Sequence, residues 1–503
     1  MSDAAGTAPA GATDRIDART WMIAGVVTLG GIMSNIDTTA VNVALDTLAG
    51  DFGVPITSVQ WVSTAYLLAL AAVIPLAGWA ADRFGGKRVW IASVGLFLAG
   101  SMLAGAAWSI GSLIFFRVLQ GVGGGMIVPV GMALLTRAAG PGRMGRVMGI
   151  LGVQQLLGPV VGPVIGGILV EHGGWRWIFY VNVPIGALAI PLAARFLPRE
   201  APQPRKRFDG LGVLLLSPGL AAVIYGLSLS EKGGFANPAA LASILAGIGL
   251  VAAFILHNRR RKTLIDTSLF RKRAFTAGVG TTFFLGMGLF GALFLLPLYY
   301  QGERGASPLE AGLLMAPQGI GAAIMMPLAG WATDRIGPRL IVLGGLALTM
   351  AGTLPFAVAG SSMPYPLLAA ALVVRGLGMG AATMPAMAGA YASLGETDMA
   401  QATSALNVFK RLGSSLGVAL VSIVLEHGLP GSAGGAGDRG APTAVVADAF
   451  ANSFWWVIAF CAVAFIPAAF LPRRPAVEEP AQRPAGSARR RVAWTAHHAG
   501  AEA

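Results

Sequence analysis

The chain has 503 residues, of which 55 % are hydrophobic and only 12 % are charged. A soluble domain carries roughly 25 % charged residues, so this composition excludes an ordinary soluble protein and indicates a polytopic membrane protein. Its one cysteine, Cys461, excludes disulfides within one chain, and its five histidines show no metal-ligand spacing. We therefore expect neither a bound metal nor a cofactor.

Fourteen apolar runs alternate with short polar segments along the chain. Each run is long enough to cross a hydrocarbon core of roughly 30 Å as a helix, at about 1.5 Å per residue. The sequence therefore predicts an all-α integral membrane protein with 14 transmembrane helices near 21–45, 57–80, 88–108, 111–136, 147–170, 176–197, 210–229, 237–256, 274–299, 309–332, 339–359, 364–391, 400–425 and 450–471.

The net charge of +13 orients this topology and does not indicate a nucleic-acid partner. With a cytoplasmic N-terminus, the cytoplasmic segments hold 28 of the 36 Lys and Arg residues, whereas the external loops hold four. Such an asymmetry is the positive-inside signal of membrane proteins. Residues 1–20 show no cleavable secretory signal. We expect a monomeric, multi-pass protein in the lipid bilayer of the cell membrane, with both termini cytoplasmic.

A charged segment occurs twice and divides the chain into two halves. LAGWAADRFGGKRVW at 76–90 returns as LAGWATDRIGPRLIV at 328–342, and the segment around Arg117 returns more faintly around Arg375. Internal repeats in a transporter predict a binding site between the halves near the bilayer midplane. The predicted parts are a cytoplasmic tail (1–20), a six-helix bundle (21–197), an inserted two-helix hairpin with basic cytoplasmic loops (198–273), a second six-helix bundle (274–471) and a disordered cytoplasmic tail (472–503).

Several short motifs carry a family resemblance. Gly78, Asp82, Arg83, Gly85 and Lys87 fit the pattern G-x-L-a-D-r-x-G-r-k, with Ala80 in place of Leu and Gly86 in place of Arg. IDTTAVNVALD (36–46), LIFFRVLQGVGGG (113–125), DGLGVLL (209–215) and LGSSLGVAL (412–420) fit four further patterns, with Asp46 where proline is usual. By these motifs residues 20–471 resemble the fourteen-span drug:proton antiporter family of the major facilitator superfamily. The resemblance implies the major facilitator fold.

We expect the charged segment to act as a conformational switch. Glycine lets the backbone turn sharply, an aspartate can accept hydrogen bonds at a helix end, and basic side chains can pair with carboxylates or lipid phosphates. The alternative is a basic loop that only sets topology, although two equivalent copies argue against it. The candidate switch residues are Gly78, Asp82, Arg83, Gly85 and Lys87, with Asp334 and Arg335 in the second copy.

Two charges within the spans are candidates for proton coupling. Asp37 is the only carboxylate well inside the first six predicted spans, and Arg117 lies at a similar depth in the fourth. A charge at this depth is costly unless it is paired or hydrated. A pair that opens when Asp37 takes up a proton would couple proton entry to transport. The alternatives are a static pair that fixes helix packing, and a share of proton carriage by Asp46.

Polar residues elsewhere in the spans are candidates for a substrate cavity. These candidates are Asn42, Gln120, Asn407 and Lys410. Lys410 is followed directly by Arg411, and we expect one of these two cations to extend toward the cytoplasm. Aromatic residues such as Tyr66 and Phe290 could line an apolar cavity, with ordinary packing as the alternative.

Glycines in the fifth predicted span repeat every four residues. Gly158, Gly162 and Gly166 share one helix face and permit close packing, and Pro163 weakens the helix. Together with Gly167 they match the antiporter pattern of the family, in which this helix keeps an empty site from leaking protons. A tight structural crossing with no gating role is the alternative.

The expected function is export of a hydrophobic or cationic drug in exchange for protons, which would confer resistance. The overall pattern is also similar to puromycin exporters of antibiotic producers, so self-resistance to puromycin is one hypothesis. Proton-coupled uptake of a small solute, a membrane-embedded enzyme and a receptor that does not transport are the alternatives. An enzyme would need clustered catalytic groups inside the spans, and the sequence shows none. We therefore expect no enzymatic activity.

Overall fold

The computed structural model describes residues 17–139, 161–162, 165–199, 209–230, 237–261, 267–306, 308–358, 363–392, 394–395, 398–428 and 443–473. All regular secondary structure within these residues is helical. Among them, 12 helices are long and apolar enough to cross a membrane. These findings confirm the predicted all-α membrane class.

The first half of the chain forms long helices joined by short turns. Asp17 begins the first of them, because its carboxylate accepts the backbone N–H of Thr20 at 3.2 Å. The helices are α1 (Ala18–Ala40), α2 (Leu45–Phe52), α3 (Ile56–Phe84), α4 (Gly86–Gly105), α5 (Ile110–Ala139), α6 (165–173), α7 (Trp177–Tyr180) and α8 (Asn182–Phe196). Helix α5 packs against α1, α3 and α4, and α8 packs against α1 and α4.

The second half repeats this arrangement after two intervening helices. The helices are α9 (Gly210–Ser230), α10 (Pro238–Arg261), α11 (Arg273–Leu298), α12 (Pro308–Ile336), α13 (Pro338–Val358), α14 (Tyr365–Tyr391), α15 (Met399–Gly428) and α16 (Thr443–Ala468). Helix α14 packs on α12 and α13 as α5 packs on α3 and α4. Helices α9 and α10 pack on each other, and α9 also contacts α3 and α15.

Buried apolar side chains join the two halves at one end of the molecule. A single cluster there includes Ile23 near the start of α1, Met384 near the end of α14 and Leu406 near the start of α15. At the opposite end the described residues form two separate clusters, one within each half. Helix α15 provides the direct packing between halves, against α3 and α5. The molecule is therefore closed at the end where α1 begins, and its halves pack separately at the other end.

Two helix boundaries differ from the sequence-based expectation. The first predicted span was expected to end at residue 45, but a 3-10 turn at Val41–Ala44 leads directly into α2, which ends at Phe52. Helix α1 is not among the 12 helices of spanning composition, because Asn35 and Asp37 lower its hydropathy. The charged segment is also more helical than expected, since Asp82 lies in the last turn of α3 and Lys87 in the first turn of α4.

A single glycine separates the helices in each copy of the charged segment. Gly85 lies between α3 and α4 with φ of 87°, and Gly337 lies between α12 and α13 with the same φ of 87°. Only glycine adopts such a positive φ without strain, because it has no Cβ. The repeat seen in the sequence is thus also a repeat of backbone geometry.

We expect Gly85→Ala to destabilise the protein, because a Cβ at this φ costs roughly 1–3 kcal/mol. Gly337→Ala should have an effect of similar size, since the φ is the same. Gly95→Ala is the matched control, because Gly95 lies within α4 and a Cβ there meets nothing within 4 Å. Thermal unfolding of the detergent-purified variants measures the difference. A midpoint for Gly85→Ala equal to that of Gly95→Ala would contradict the strain argument.

Candidate functional site

Asp37 on α1 and Arg117 on α5 form an ion pair inside the first half. The Nη1 atom of Arg117 donates to Oδ2 of Asp37 at 2.6 Å, and both side chains are 0 % exposed. The similar depth of these two residues in the sequence thus corresponds to a direct contact. Because the pair is fully buried, neither charge can be satisfied by bulk water, and each depends on the other.

Neutral side chains complete the shell around Asp37. Gln120 accepts from Nη1 of Arg117 at 2.8 Å and donates to Oδ1 of Asp37 at 2.8 Å. Asn182 on α8 donates to the same Asp37 oxygen at 3.1 Å and to Oγ of Ser101 on α4 at 3.0 Å. Asp37 therefore accepts three hydrogen bonds, and the network joins α1, α4, α5 and α8. An ionised carboxylate is well stabilised by such donors.

Arg117 also anchors α5 to α3. Its Nε donates to the carbonyl of Val62 at 3.1 Å, and its guanidinium lies 4.0 Å from the ring centroid of Tyr66. The Nη2 atom is buried without a hydrogen-bond partner among the described residues. The cation is therefore balanced by one carboxylate and by the ring face of Tyr66. Protonation of Asp37 would remove the only negative charge in this network.

A cavity of 180 Å³ lies between the two halves. Helix α1 lines it with Ser34 and Thr38, and α15 lines it with Asn407, Lys410 and Arg411. The wall supplied by α3, α5 and α11 is mostly apolar and includes Leu70, Ile74, Val128, Pro129 and Phe290. A cavity with an apolar wall and a few polar groups suits a small organic molecule.

Tyr66 lies between this cavity and the ion pair. Its hydroxyl shares a hydrogen bond of 3.3 Å with Ser34, and the Thr38 hydroxyl lies 3.5 Å from it. Ser34 and Thr38 both line the cavity, whereas the Tyr66 ring covers Arg117. A continuous set of contacts thus runs from the cavity wall to the buried charges.

The second half contains a buried arginine at the repeated position but no partner carboxylate. Arg375 on α14 is 1 % exposed. It donates to the side-chain oxygen of Gln318, to Oγ1 of Thr353 at 3.2 Å and to the carbonyl of Gly288 at 3.5 Å. No described carboxylate pairs with Arg375, so the charged pair belongs to the first half alone.

The charged segment ties helix ends together at the closed end of the molecule. Asp82, which is 4 % exposed, accepts from Nη2 of Arg137 at 3.2 Å, at the end of α5. Lys87 donates to the carbonyl of Ala194 at 2.6 Å, near the end of α8. These bonds hold the α3–α4 turn against two neighbouring helices.

The other candidate switch residues lie on the same turns. Gly78 is buried within α3, and Arg83 is half-buried in the last turn of that helix. In the second copy Asp334 is half-buried, and the exposed Arg335 places its guanidinium 4.2 Å from the ring of Trp331.

Two described glycines of the fifth predicted span, Gly162 and Gly166, face α1. A Cβ at Gly166 would lie 2.8 Å from the carbonyl oxygen of Ala40, and one at Gly162 would collide with Thr39. Gly167 faces open space. Gly158 and Pro163 lie outside the described residues, as does the side chain of Asp46.

The predicted cavity residues fall in three places. Asn407 and Lys410 line the cavity, Gln120 belongs to the ion-pair network, and the exposed Asn42 accepts from Ser63 at 3.0 Å. Arg411 also lines the cavity. Both adjacent cations therefore border the cavity, and the extension of one of them toward the cytoplasm stays a prediction.

Sequence reasoning missed Asn182 and Gln318, which bind the buried charges, and Ser101, which accepts from Asn182. Each is a single neutral polar residue in an apolar span, and such residues often only bond to their own helix. In the sequence, only their depth within the spans, which is similar to that of Asp37 and Arg375, could have indicated a contact with these charges.

Known proteins are similar to this chain over most of its length. The family model of the Major Facilitator Superfamily matches residues 27–418 and 278–497. The "Multidrug resistance protein B homolog" of Mycobacterium tuberculosis is 41 % identical over 496 residues, with 92 % of each chain covered. "Puromycin resistance protein pur8" of Streptomyces alboniger is 33 % identical over 451 residues, which cover 88 % of this chain and 89 % of that one.

Solved structures share the fold. The proton:xylose symporter XylE superimposes with a TM-score of 0.60 at 14 % identity, over 90 % of this chain and 95 % of that one. The repeated halves, the charged turns and these relatives all indicate the same family. The chain therefore belongs to the Major Facilitator Superfamily, with multidrug-resistance proteins among its relatives, and it is a membrane transporter and not an enzyme.

Proposed function

We propose that this protein exports hydrophobic drugs from the cytoplasm in exchange for protons and thereby confers resistance. The observation that carries the proposal is the fully buried Asp37–Arg117 pair, in contact through Tyr66 with a cavity between the halves. Relatives named as multidrug and puromycin resistance proteins support drug export, and puromycin is one hypothesis for the substrate.

A proton supplies an energy of the right size to open this pair. Breaking a buried ion pair costs about 3–5 kcal/mol. One proton that enters through a potential of roughly 180 mV releases about 4 kcal/mol. When Asp37 is ionised, the pair holds α1 against α5; when it is protonated, Arg117 loses its counter-charge and this arrangement loses its main stabilisation. Protonation thus favours the other access state.

We further propose 14 spans, with α9 and α10 as the inserted hairpin and both termini cytoplasmic. Helix α1 adds a thirteenth span to the 12 of spanning composition, and most of the predicted span at 147–170 lies outside the described residues. On this orientation the closed end is cytoplasmic, and the cavity belongs to an outward-directed state. The glycine face of α6 would seal the helix against α1 during the change of state.

The resistance profile tests the function itself. Expression in a pump-deficient bacterium should raise tolerance to a subset of a panel of toxic compounds, and a protonophore should abolish that tolerance. A profile identical to that of the empty vector would contradict drug export. The compound with the largest effect then serves as the substrate in the experiments below.

Asp37→Asn should abolish uphill accumulation of that compound in everted membrane vesicles while substrate exchange continues. Asparagine mimics the protonated side chain and cannot release a proton, so the driving force is lost but alternation is not. Asp398→Asn is the matched control, because Asp398 forms a partly exposed pair with Lys272 at 3.0 Å. Uphill transport by Asp37→Asn at the wild-type rate would show that Asp37 is only structural.

Tyr66→Phe should weaken coupling without removing the ion pair. The phenyl ring keeps its place over Arg117, but the hydroxyl bonded to Ser34 is lost, a change of about 1 kcal/mol or roughly fivefold. The measurement is the substrate-induced decrease of a preset pH gradient across vesicles. Ser93→Ala is the control, since Ser93 donates to Val89 of its own helix at 2.7 Å. Equal responses from both variants would contradict a linking role for Tyr66.

Asp82→Asn should lower turnover more than substrate affinity, because the Asp82–Arg137 bond stabilises one access state and does not contact the cavity. Arg137→Gln should behave alike, and the double variant should be no worse than either single one. Arg88→Gln, at an exposed neighbour in α4, should transport normally. Strictly additive losses in turnover would show that the two residues act independently.

A further inference from the structure

Two cationic side chains line the cavity between the halves, and no anionic side chain is among its described lining residues. Lys410 and Arg411 are the only ionisable side chains among its described lining residues. Asp37 does not line the cavity, since it is 0 % exposed and its oxygens are occupied by Arg117, Gln120 and Asn182. Residues 140–160 and 163–164 lie outside the described part of the chain. Their sequence contains no Asp or Glu, so it offers no carboxylate to the cavity.

Arg411 in particular is placed to receive a ligand. Arg411 lines the cavity, and its side chain makes no hydrogen bond or ion pair with any described residue. A planar guanidinium offers five donors in a fork that fits a carboxylate, sulfonate or phosphate with two parallel hydrogen bonds. Asn407 and Ser414 line the same wall and can supply further neutral hydrogen bonds. An anionic group would thus find a charge and donors together.

The opposite wall of the cavity suits the remainder of such a molecule. Leu70, Ile74, Val128 and Phe290 present apolar surface across from α15. A molecule with a fused-ring or alkyl body and one acidic group would match both walls. A cation of the same shape would meet two positive charges in a water-poor space, where charges interact far more strongly than in bulk water.

We propose that this cavity selects hydrophobic organic anions over hydrophobic cations, with Arg411 as the principal anion-binding residue and Lys410 as its neighbour. The biological consequence rests on the proposed export function, but the selectivity is a property of the cavity itself. It would make acidic drugs and acidic lipophilic metabolites the substrates, in place of the cationic drugs that the family resemblance brought into consideration.

Two probes of one shape and opposite permanent charge test this selectivity. The probes are 2-naphthalenesulfonate and 2-naphthyltrimethylammonium, titrated against the purified full-length protein in neutral detergent by calorimetry. We expect the sulfonate to bind at least tenfold more tightly than the ammonium. Arg411→Gln should weaken sulfonate binding at least tenfold, and Arg411→Glu should reverse the preference. Arg271→Gln, at an exposed cation outside the cavity, is the control and should bind both probes as the wild type does.

The outcomes distinguish a failure of the proposed selectivity from a failure of the proposed export function. Tighter binding of the ammonium, equal binding of both probes, binding of neither probe, or unchanged sulfonate binding by a correctly folded Arg411→Gln would overturn the proposed selectivity. Monodisperse elution and an unchanged melting midpoint establish correct folding, and Lys410→Gln provides a second variant if Arg411→Gln fails to fold. If the sulfonate binds selectively but energised vesicles export no compound, the export function fails and the selectivity stands. If energised vesicles export only cations, the export function stands and the proposed selectivity fails.

Discussion

A carboxylate and a guanidinium with no access to water must be satisfied by the helices around them, and this requirement governs the first half of the molecule. Asp37 and Arg117 form an ion pair at 2.6 Å, and the neutral donors and acceptors around them stabilise both charges. Those groups come from α1, α3, α4, α5 and α8, so a single buried pair fixes the mutual placement of most of the bundle. Adding a proton to Asp37 would change the balance of charge within this network.

The repeated halves have diverged at this point. Each has a buried arginine on the corresponding helix, but Arg117 faces a carboxylate, whereas Arg375 is held by the neutral groups of Gln318 and Thr353. The proposed proton exchange needs one protonatable carboxylate, and Asp37 supplies it in the first half. The second half instead contributes Lys410 and Arg411 to the cavity. We infer a division of labour in which the first half responds to protons and the second half sets the charge of the substrate.

The sequence was sufficient for the class and the repeat, because both depend on strong local signals. Long apolar runs require helices in a bilayer, and the duplicated segment around Gly85 and Gly337 marks the same turn twice. Depth along a helix also indicated the Asp37–Arg117 pair. The rotation of each helix about its own axis could not be predicted from the sequence. The position of Arg411 at the cavity depends on how α15 packs against α3 and α5, and no local pattern encodes that packing. For the same reason, only the structure showed that Asn182 on α8 and Ser101 on α4 belong to the hydrogen-bond network of Asp37.

A positive cavity also constrains how proton and substrate can be exchanged. A cationic drug would compete with a proton directly, since each adds positive charge to the same region. An anion does not compete in this way, so exchange must arise because each ligand favours a different access state. The contacts of Tyr66 with Ser34 and with the Arg117 guanidinium offer a mechanical route for that preference. The membrane potential then acts on both partners in the same sense, because an outward-moving anion and an inward-moving proton each carry charge down a potential worth roughly 2.3 kcal/mol per charge for every 100 mV. An exporter of organic anions built in this way would draw on the potential twice in each cycle, and it would need only one titrating carboxylate to do so.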